Sequence, residues 1–207
     1  MRANALDGSR LPGLDEVSAI VSLGGEMSAI GYERDPFLSA EVELMRAALA
    51  DDTPVLGMCL GAQLLAVAAG GRVSKLERVY VAWPRLAQLS AAAGDPLFGG
   101  LTDGLSVLEW HEDAIDPPPQ AVMLGATDSP GAALFRVGEN AWGSQMHLEA
   151  TPPMVLDGWL ADSRSLDEMR AAGYDVDRFR AESRERLPGQ VAAARPIFAT
   201  FAALAAG

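Results

Sequence analysis

At 207 residues and 21.7 kDa the chain is long enough to bury one full core. A composition of 49% hydrophobic and 21% charged residues excludes an unfolded polymer. Sixteen basic against 28 acidic residues give a formal charge of −12. That field repels phosphate backbones, and with Lys75 the sole lysine and no basic stripe, no nucleic-acid partner is expected.

One cysteine rules out an internal disulfide, and one Cys with two His is too few for a zinc cage, so neither metal nor cofactor is expected. No apolar run reaches the roughly 18 residues of a membrane helix. The best candidate, near the C-terminus, is broken by Arg195 and Pro196. Asp7, Arg10, Asp15 and Glu16 interrupt any signal-like apolar stretch at the start. The expectation is a cytoplasmic protein with no membrane partner and a single domain over 1–207.

In chain order, residues 17–23 form a short β-branched run ending at Gly24-Gly25, read as a buried strand and a tight turn. Residues 37–50 carry apolar side chains at helical spacing. Thr53 to Gly57 reads as a second buried strand, and Leu60 to Ala69 as a helix stopped by Gly70-Gly71. Strand, helix, strand, helix argues for a mostly parallel sheet with helices on its faces, an α/β fold in three layers. Short strands are expected at 79–83, 105–110, 121–126, 132–137 and 141–146, separated by turns such as Pro117-Pro118-Pro119. After 150 the chain turns helical: 153–162, a charged stretch over 164–186, then 189–205. The part beyond 160 is either a packing cover or a docking surface, and its alternating charges favour a solvated face.

Gly57-Met58-Cys59-Leu60-Gly61 is the most informative segment. A nucleophile between a strand and a helix sits in a sharp, strained turn, and small residues two positions either side relieve the crowding. The helix that follows aims its free N–H groups and positive dipole end at the sulfur, favouring thiolate. A lone Cys in an apolar run can also be a small buried hydrophobe, but such a residue needs neither glycine. A cysteine nucleophile wants a histidine to share its proton and a third group to orient that ring. In Gln145-Met146-His147-Leu148-Glu149, an extended backbone would put Glu149 within reach of His147. The bland alternative is a surface His beside an unrelated Glu. His111, in Glu109-Trp110-His111-Glu112-Asp113, fits a solvated acidic turn as well as a site role. Gly24-Gly25 is either a plain turn or a source of unobstructed N–H groups for an oxyanion.

Pro54 to Leu65 resembles the nucleophile segment of class I, triad-type glutamine amidotransferases. Val21-Ser22-Leu23-Gly24-Gly25 resembles their oxyanion strand, and Gly143 to Glu149 their His-x-Glu segment. Trp110-His111-x-Asp113 and Phe135-Arg136-Val137-Gly138 are similar to the stand-alone, GMP-synthase-like branch. The resemblance runs from about residue 15 to 160 and implies a flavodoxin-like fold. It implies a triad of Cys59, His147 and Glu149, with the N–H groups of Gly25 and Leu60 as oxyanion donors. It further implies Gln63, with Ala82, Trp83 and His111, around an L-glutamine substrate, and a synthetase partner receiving ammonia.

Three departures stand out. Glu26 and Leu148 occupy positions where relatives commonly have Pro, and Tyr80-Val81-Ala82-Trp83 replaces Glu-x-Gly-Trp near the glutamine pocket. The family fold also begins with a strand and helix ahead of the equivalent of Met1. The expectation is that the natural chain starts further upstream or that another segment fills the gap. Three functions remain open: an amidotransferase feeding a partner, a cysteine hydrolase of γ-glutamyl amides or small peptides, and a non-catalytic module.

Overall fold

The computed structural model describes residues 3, 4 and 8–206. Leu14 and Val17 lead in, packed against the core, and β1 follows at Ile20–Ser22. Helix α1, Pro36–Asp51, starts because Asp35 accepts hydrogen bonds from the N–H groups of Phe37 and Leu38 while Pro36 supplies a pre-set φ. It stops where Asp52 turns left-handed (φ 57°). Its buried face, Leu38, Val42, Met45 and Ala48, has the three-to-four spacing of one helix side.

Strand β2, Val55–Met58, is buried along its whole length and passes directly into α2, Leu60–Ala68. Next come β3 (Arg72–Ala82), β4 (Ala87–Gln88), β5 (Glu109–Asp116), β6 (Val122–Ala126), β7 (Leu134–Val137) and β8 (Ala141–Ser144). Six of these strands form one sheet in the order β1-β2-β8-β7-β6-β4. It is mixed: β1, β2 and β8 are parallel around the nucleophile strand, and β7, β6 and β4 continue antiparallel. The short connections from β6 to β7 and from β7 to β8 leave no room for a crossover, so those pairs must be antiparallel. Alternate residues face opposite layers. Val55, Phe135 and Ala141 join α1 and α2 on one side. Leu56, Met58, Leu134 and Trp142 face Phe98, Ile197 and Phe201 on the other. Among the described residues β1 is the outer strand, with Val21 half exposed.

Strands β3 and β5 stand apart as a two-stranded antiparallel ribbon with a register break between Lys75 and Tyr80. This corrects two expectations. The strand expected at 79–83 is only the end of β3; its first half, rich in exposed polar residues, lacks the apolar alternation that marks a half-buried strand. The strand expected at 105–110 begins at Glu109, and Ser106 makes only an isolated bridge to Arg85.

The C-terminal region is corrected as well. Pro153–Trp159 is a π-helix, followed by α3, Ser163–Ala171. Then α4 runs unbroken over Val176–Leu204, straight through Pro188 and Pro196. Each proline removes one N–H bond and frees a carbonyl four residues back. Here both prolines, and Arg184 and Ala192 behind them, lie on the exposed side, where water can bind those carbonyls. The opposite side, Phe179, Ser183, Leu187, Gln190, Ala194, Ile197 and Phe201, is a continuous buried stripe, so α4 is a packing cover. No helix among the described residues is long and apolar enough to cross a membrane.

Candidate active site

One residue, Cys59, separates β2 from α2, and its backbone sits at φ 49°, ψ −106°. A side-chain-bearing residue holds such a conformation only where its surroundings enforce it. A Cβ at Gly57 would lie 2.5 Å from the Gly61 carbonyl oxygen, and one at Gly61 2.3 Å from the Ser22 oxygen. Strand and helix therefore approach too closely for any residue but glycine at either position. The Cys59 N–H donates to Ser144 O at 2.7 Å, tying the turn to the end of β8. Sγ sits at the N-terminal end of α2, whose first N–H groups have no acceptor within the helix.

Beyond Ser144 the backbone bends instead of staying extended, and a turn closed by Ala150 N–H donating to His147 O (3.1 Å) follows. The expected contact nonetheless forms, made by the turn instead of by strand alternation: His147 Nδ1 lies 2.7 Å from Glu149 Oε1. Both side chains are nearly buried. Burial alone would press the imidazole toward its neutral form. The adjacent Cys59 sulfur and the Glu149 carboxylate outweigh that and raise His147 well above its ordinary range. The backbone at Gly24 completes the cluster, since a Cβ there would lie 3.0 Å from His147 Cε1 and 3.6 Å from Cys59 Cβ. Gly25 follows, with Leu60 beside it. Cys59, His147, Glu149, Gly25 and Leu60 are thus brought together.

The other expected residues sit differently. Gln63, buried on α2, points its amide at the Asp113 carbonyl (3.4 Å). His111 lies on β5 with a fully buried ring, which overturns the solvated turn. Its Nδ1 is 2.8 Å from Asp113 O and its Nε2 3.2 Å from Glu109 Oε2, so both ring nitrogens are taken. Glu109 tolerates burial because Thr127 also donates to it. Trp83 turns toward α4, its indole donating to Ser183 Oγ (3.0 Å) and its carbonyl accepting from Arg186. Ala82 and Trp83 line an open cleft of about 470 Å³ with Tyr174, Arg178 and Glu182, away from Cys59.

Four site neighbours carried no sequence expectation. The Trp110 carbonyl lies 3.7 Å from Cys59 Sγ and 3.3 Å from His147 Nε2. Trp159 sets its ring edge-on to His147 at 4.9 Å between centroids. Gln145 is fully buried with Nε2 3.5 Å from Cys59 Sγ. Gln190, on α4, accepts from Leu108 N–H (2.7 Å) and donates to His147 O (2.9 Å). Gln145 and Trp110 lie in segments that the sequence already singles out, beside His147 and His111; Trp159 and Gln190 come from distant segments.

Helix α3 meets the ribbon of β3 and β5 where Glu168 lies against Glu112. Glu168 is pushed up to about 7 by its hydrogen bond with Glu112, and partial burial and the Glu112 charge add to the effect. Glu112 is correspondingly lowered, helped by Lys75. The folded chain therefore holds a proton that the unfolded chain releases near 4.5. The resulting stabilisation is full below that pH and is lost as pH rises through about 7. Wild-type protein should melt at a lower temperature at pH 8 than at pH 6, and Glu168→Gln should shrink that difference. Melting curves of both proteins at both pH values check it.

A thiol at a helix N-terminus, a histidine oriented by a carboxylate and nearby backbone donors form a set suited to acyl transfer through a thioester. The glutamine amidotransferase class-I family model matches residues 20–159. YfeJ of Salmonella typhimurium, a glutamine amidotransferase-like protein, is 29% identical over 79% of this chain and 74% of its own length. The glutamine-hydrolysing GMP synthase of Thermomicrobium roseum is 34% identical over 87% of this chain but only 33% of the enzyme, so the chain spans a third of that relative. A glutamine amidotransferase from Thermotoga maritima superposes with a TM-score of 0.81 at 26% identity, over 94% of this chain and 83% of that structure. That likeness covers the mixed sheet, its flanking helices and the flavodoxin-like arrangement. With the family model spanning the sheet from β1 through the nucleophile turn to the π-helix, the chain belongs to the class I glutamine amidotransferases.

Proposed function

We propose that this chain hydrolyses the side-chain amide of L-glutamine and releases ammonia for a partner synthetase. The observation that carries the reading is Cys59, held at positive φ on the mouth of α2 with His147 and Glu149 aligned behind it. In this reaction Cys59 passes its proton to His147 and the thiolate attacks the carboxamide carbon. The N–H groups of Leu60 and Gly25 hold the resulting oxyanion. His147 then protonates the leaving nitrogen, the C–N bond breaks, and ammonia departs from a glutamyl thioester. Water, giving its proton to His147, attacks that thioester; glutamate leaves and the thiol is restored.

Gln63 and the main chain of β5 beside it are assigned to the amino-acid end of the substrate. His111, Ala82 and Trp83 act behind that wall, because their polar groups are already engaged or face the cleft. The likeness to GMP synthase supports an ATP-dependent synthetase as acceptor of the ammonia.

The test is intact mass after incubation with a glutamine-mimicking diazoketone, beside a glutamate-release assay. One adduct on wild type, none on Cys59→Ala, and glutamate release lost in the variant are expected. Absence of both adduct and release on folded wild-type protein mixed with its synthetase partner would overturn the reading. Faster turnover of other γ-glutamyl amides than of glutamine would move the assignment to the hydrolase.

A further inference from the structure

We infer that the Gln145 amide is a hydrogen-bond donor to the Cys59 thiolate, sharing with His147 the stabilisation of the nucleophile. The inference rests on the reading of Cys59 as nucleophile and deepens it. Four observations carry it. Gln145 is completely buried, an expensive place for an amide without a purpose there. Its Nε2 lies 3.5 Å from Sγ, within range for a soft, diffuse sulfur acceptor. Its backbone is pinned by an N–H bond to Ala133 O at 2.9 Å, so the side chain starts from a fixed root. Its other amide atom, Oε1, is buried without a partner among the described residues.

The buried Gln190 amide bonds main chain at both ends, whereas the Gln145 donor is directed at sulfur. Such a bond is weak to a neutral thiol and strong to an anion, because an ionised acceptor roughly doubles the interaction. The proton leaving Cys59 goes to His147, and the charge left behind faces the imidazolium and the Gln145 N–H. The Trp110 carbonyl cannot do this work: it is an acceptor and favours S–H over S⁻. Gln145 offsets that preference.

The test is the pH profile of Cys59 alkylation by iodoacetamide, which needs neither glutamine nor a partner. Cys59 is the only cysteine, so the rate is unambiguous. In Gln145→Met, close in shape but without a donor, the rate at pH 6.5 should fall about tenfold, the size expected for one hydrogen bond to a charged group. At the alkaline plateau, where every molecule is thiolate, it should stay within about twofold. Gln145→Glu, which turns an acceptor toward the sulfur, should shift the profile further to alkaline pH. If Gln145→Met does not fold, Gln145→Asn replaces it, withdrawing the amide by one methylene.

An unchanged profile in a folded variant overturns the inference. So does an equal loss at all pH values, which would mark a purely structural role. A wild-type profile like that of a small free thiol would instead sink the reading of Cys59 as nucleophile. The two failures are therefore distinguishable.

Discussion

Gly61→Ala should abolish Cys59 reactivity and destabilise the protein by about 3 kcal/mol, the upper range for forcing an atom into a packed site. The added methyl would sit 2.3 Å from Ser22 O and 2.4 Å from Ser22 Oγ. Neither atom can step aside. Ser22 is paired in register with Gly57 on β2, and its hydroxyl donates to Glu41 at 2.5 Å, anchoring it to α1. Relief must come from α2 moving outward, which relaxes Cys59 from φ 49°. Denaturant unfolding gives the stability loss, and diazoketone labelling of the remaining folded fraction gives the loss of the site. Full labelling at the wild-type rate would show that the close approach of β1 and α2 does not hold the nucleophile.

His147→Asn should lower glutamine turnover by about 10³-fold, within the range of a general acid–base group. Removing the nearly buried imidazole also leaves the Glu149 carboxylate without its partner, so stability should fall as well, a loss that denaturant unfolding reads separately. Glu149→Gln is the sharper variant. It keeps the bond to Nδ1 but removes a charge that helps hold His147 above its ordinary range. The imidazolium that donates to departing ammonia then persists over a narrower window. The alkaline limb of the kcat profile should shift to lower pH, with kcat near neutrality down by about 10²-fold. Steady-state glutamate release between pH 6 and 10 checks both, and an unmoved alkaline limb in Glu149→Gln would remove Glu149 from the reaction.

What could be read from the sequence was whatever chain-local geometry dictates. The nucleophile turn was legible because its glycines and cysteine lie within five positions and the constraint acts between them. The pairing of His147 with Glu149 was legible for the same reason, although a turn and not an extended strand makes it. The ribbon of β3 and β5 was half hidden, because its register comes from contacts across the chain and its polar residues mimic a loop. Glu109, His111 and Asp113 fit a solvated turn as well as a site; their burial is made tolerable by their mutual bonds and by Thr127, Ser28 and Lys75, all far from them in sequence. The continuity of α4 was masked by two prolines whose cost vanishes when they face water. Trp159 and Gln190 reach His147 from beyond the π-helix's start and could not be placed before the fold was known.

The bond from Gln190 to the His147 main chain also orders events in time. A ribosome releases Cys59 first and His147 some ninety residues later, yet the amide that fixes the histidine's backbone and the edge of β5 follows 43 residues after that. Until then the imidazole has its carboxylate, and its main chain is held only by its own N–H to Leu108 O and by the Ala150 N–H. The histidine's main-chain carbonyl therefore gains its Gln190 donor only once α4 has packed, long after Cys59 has left the ribosome.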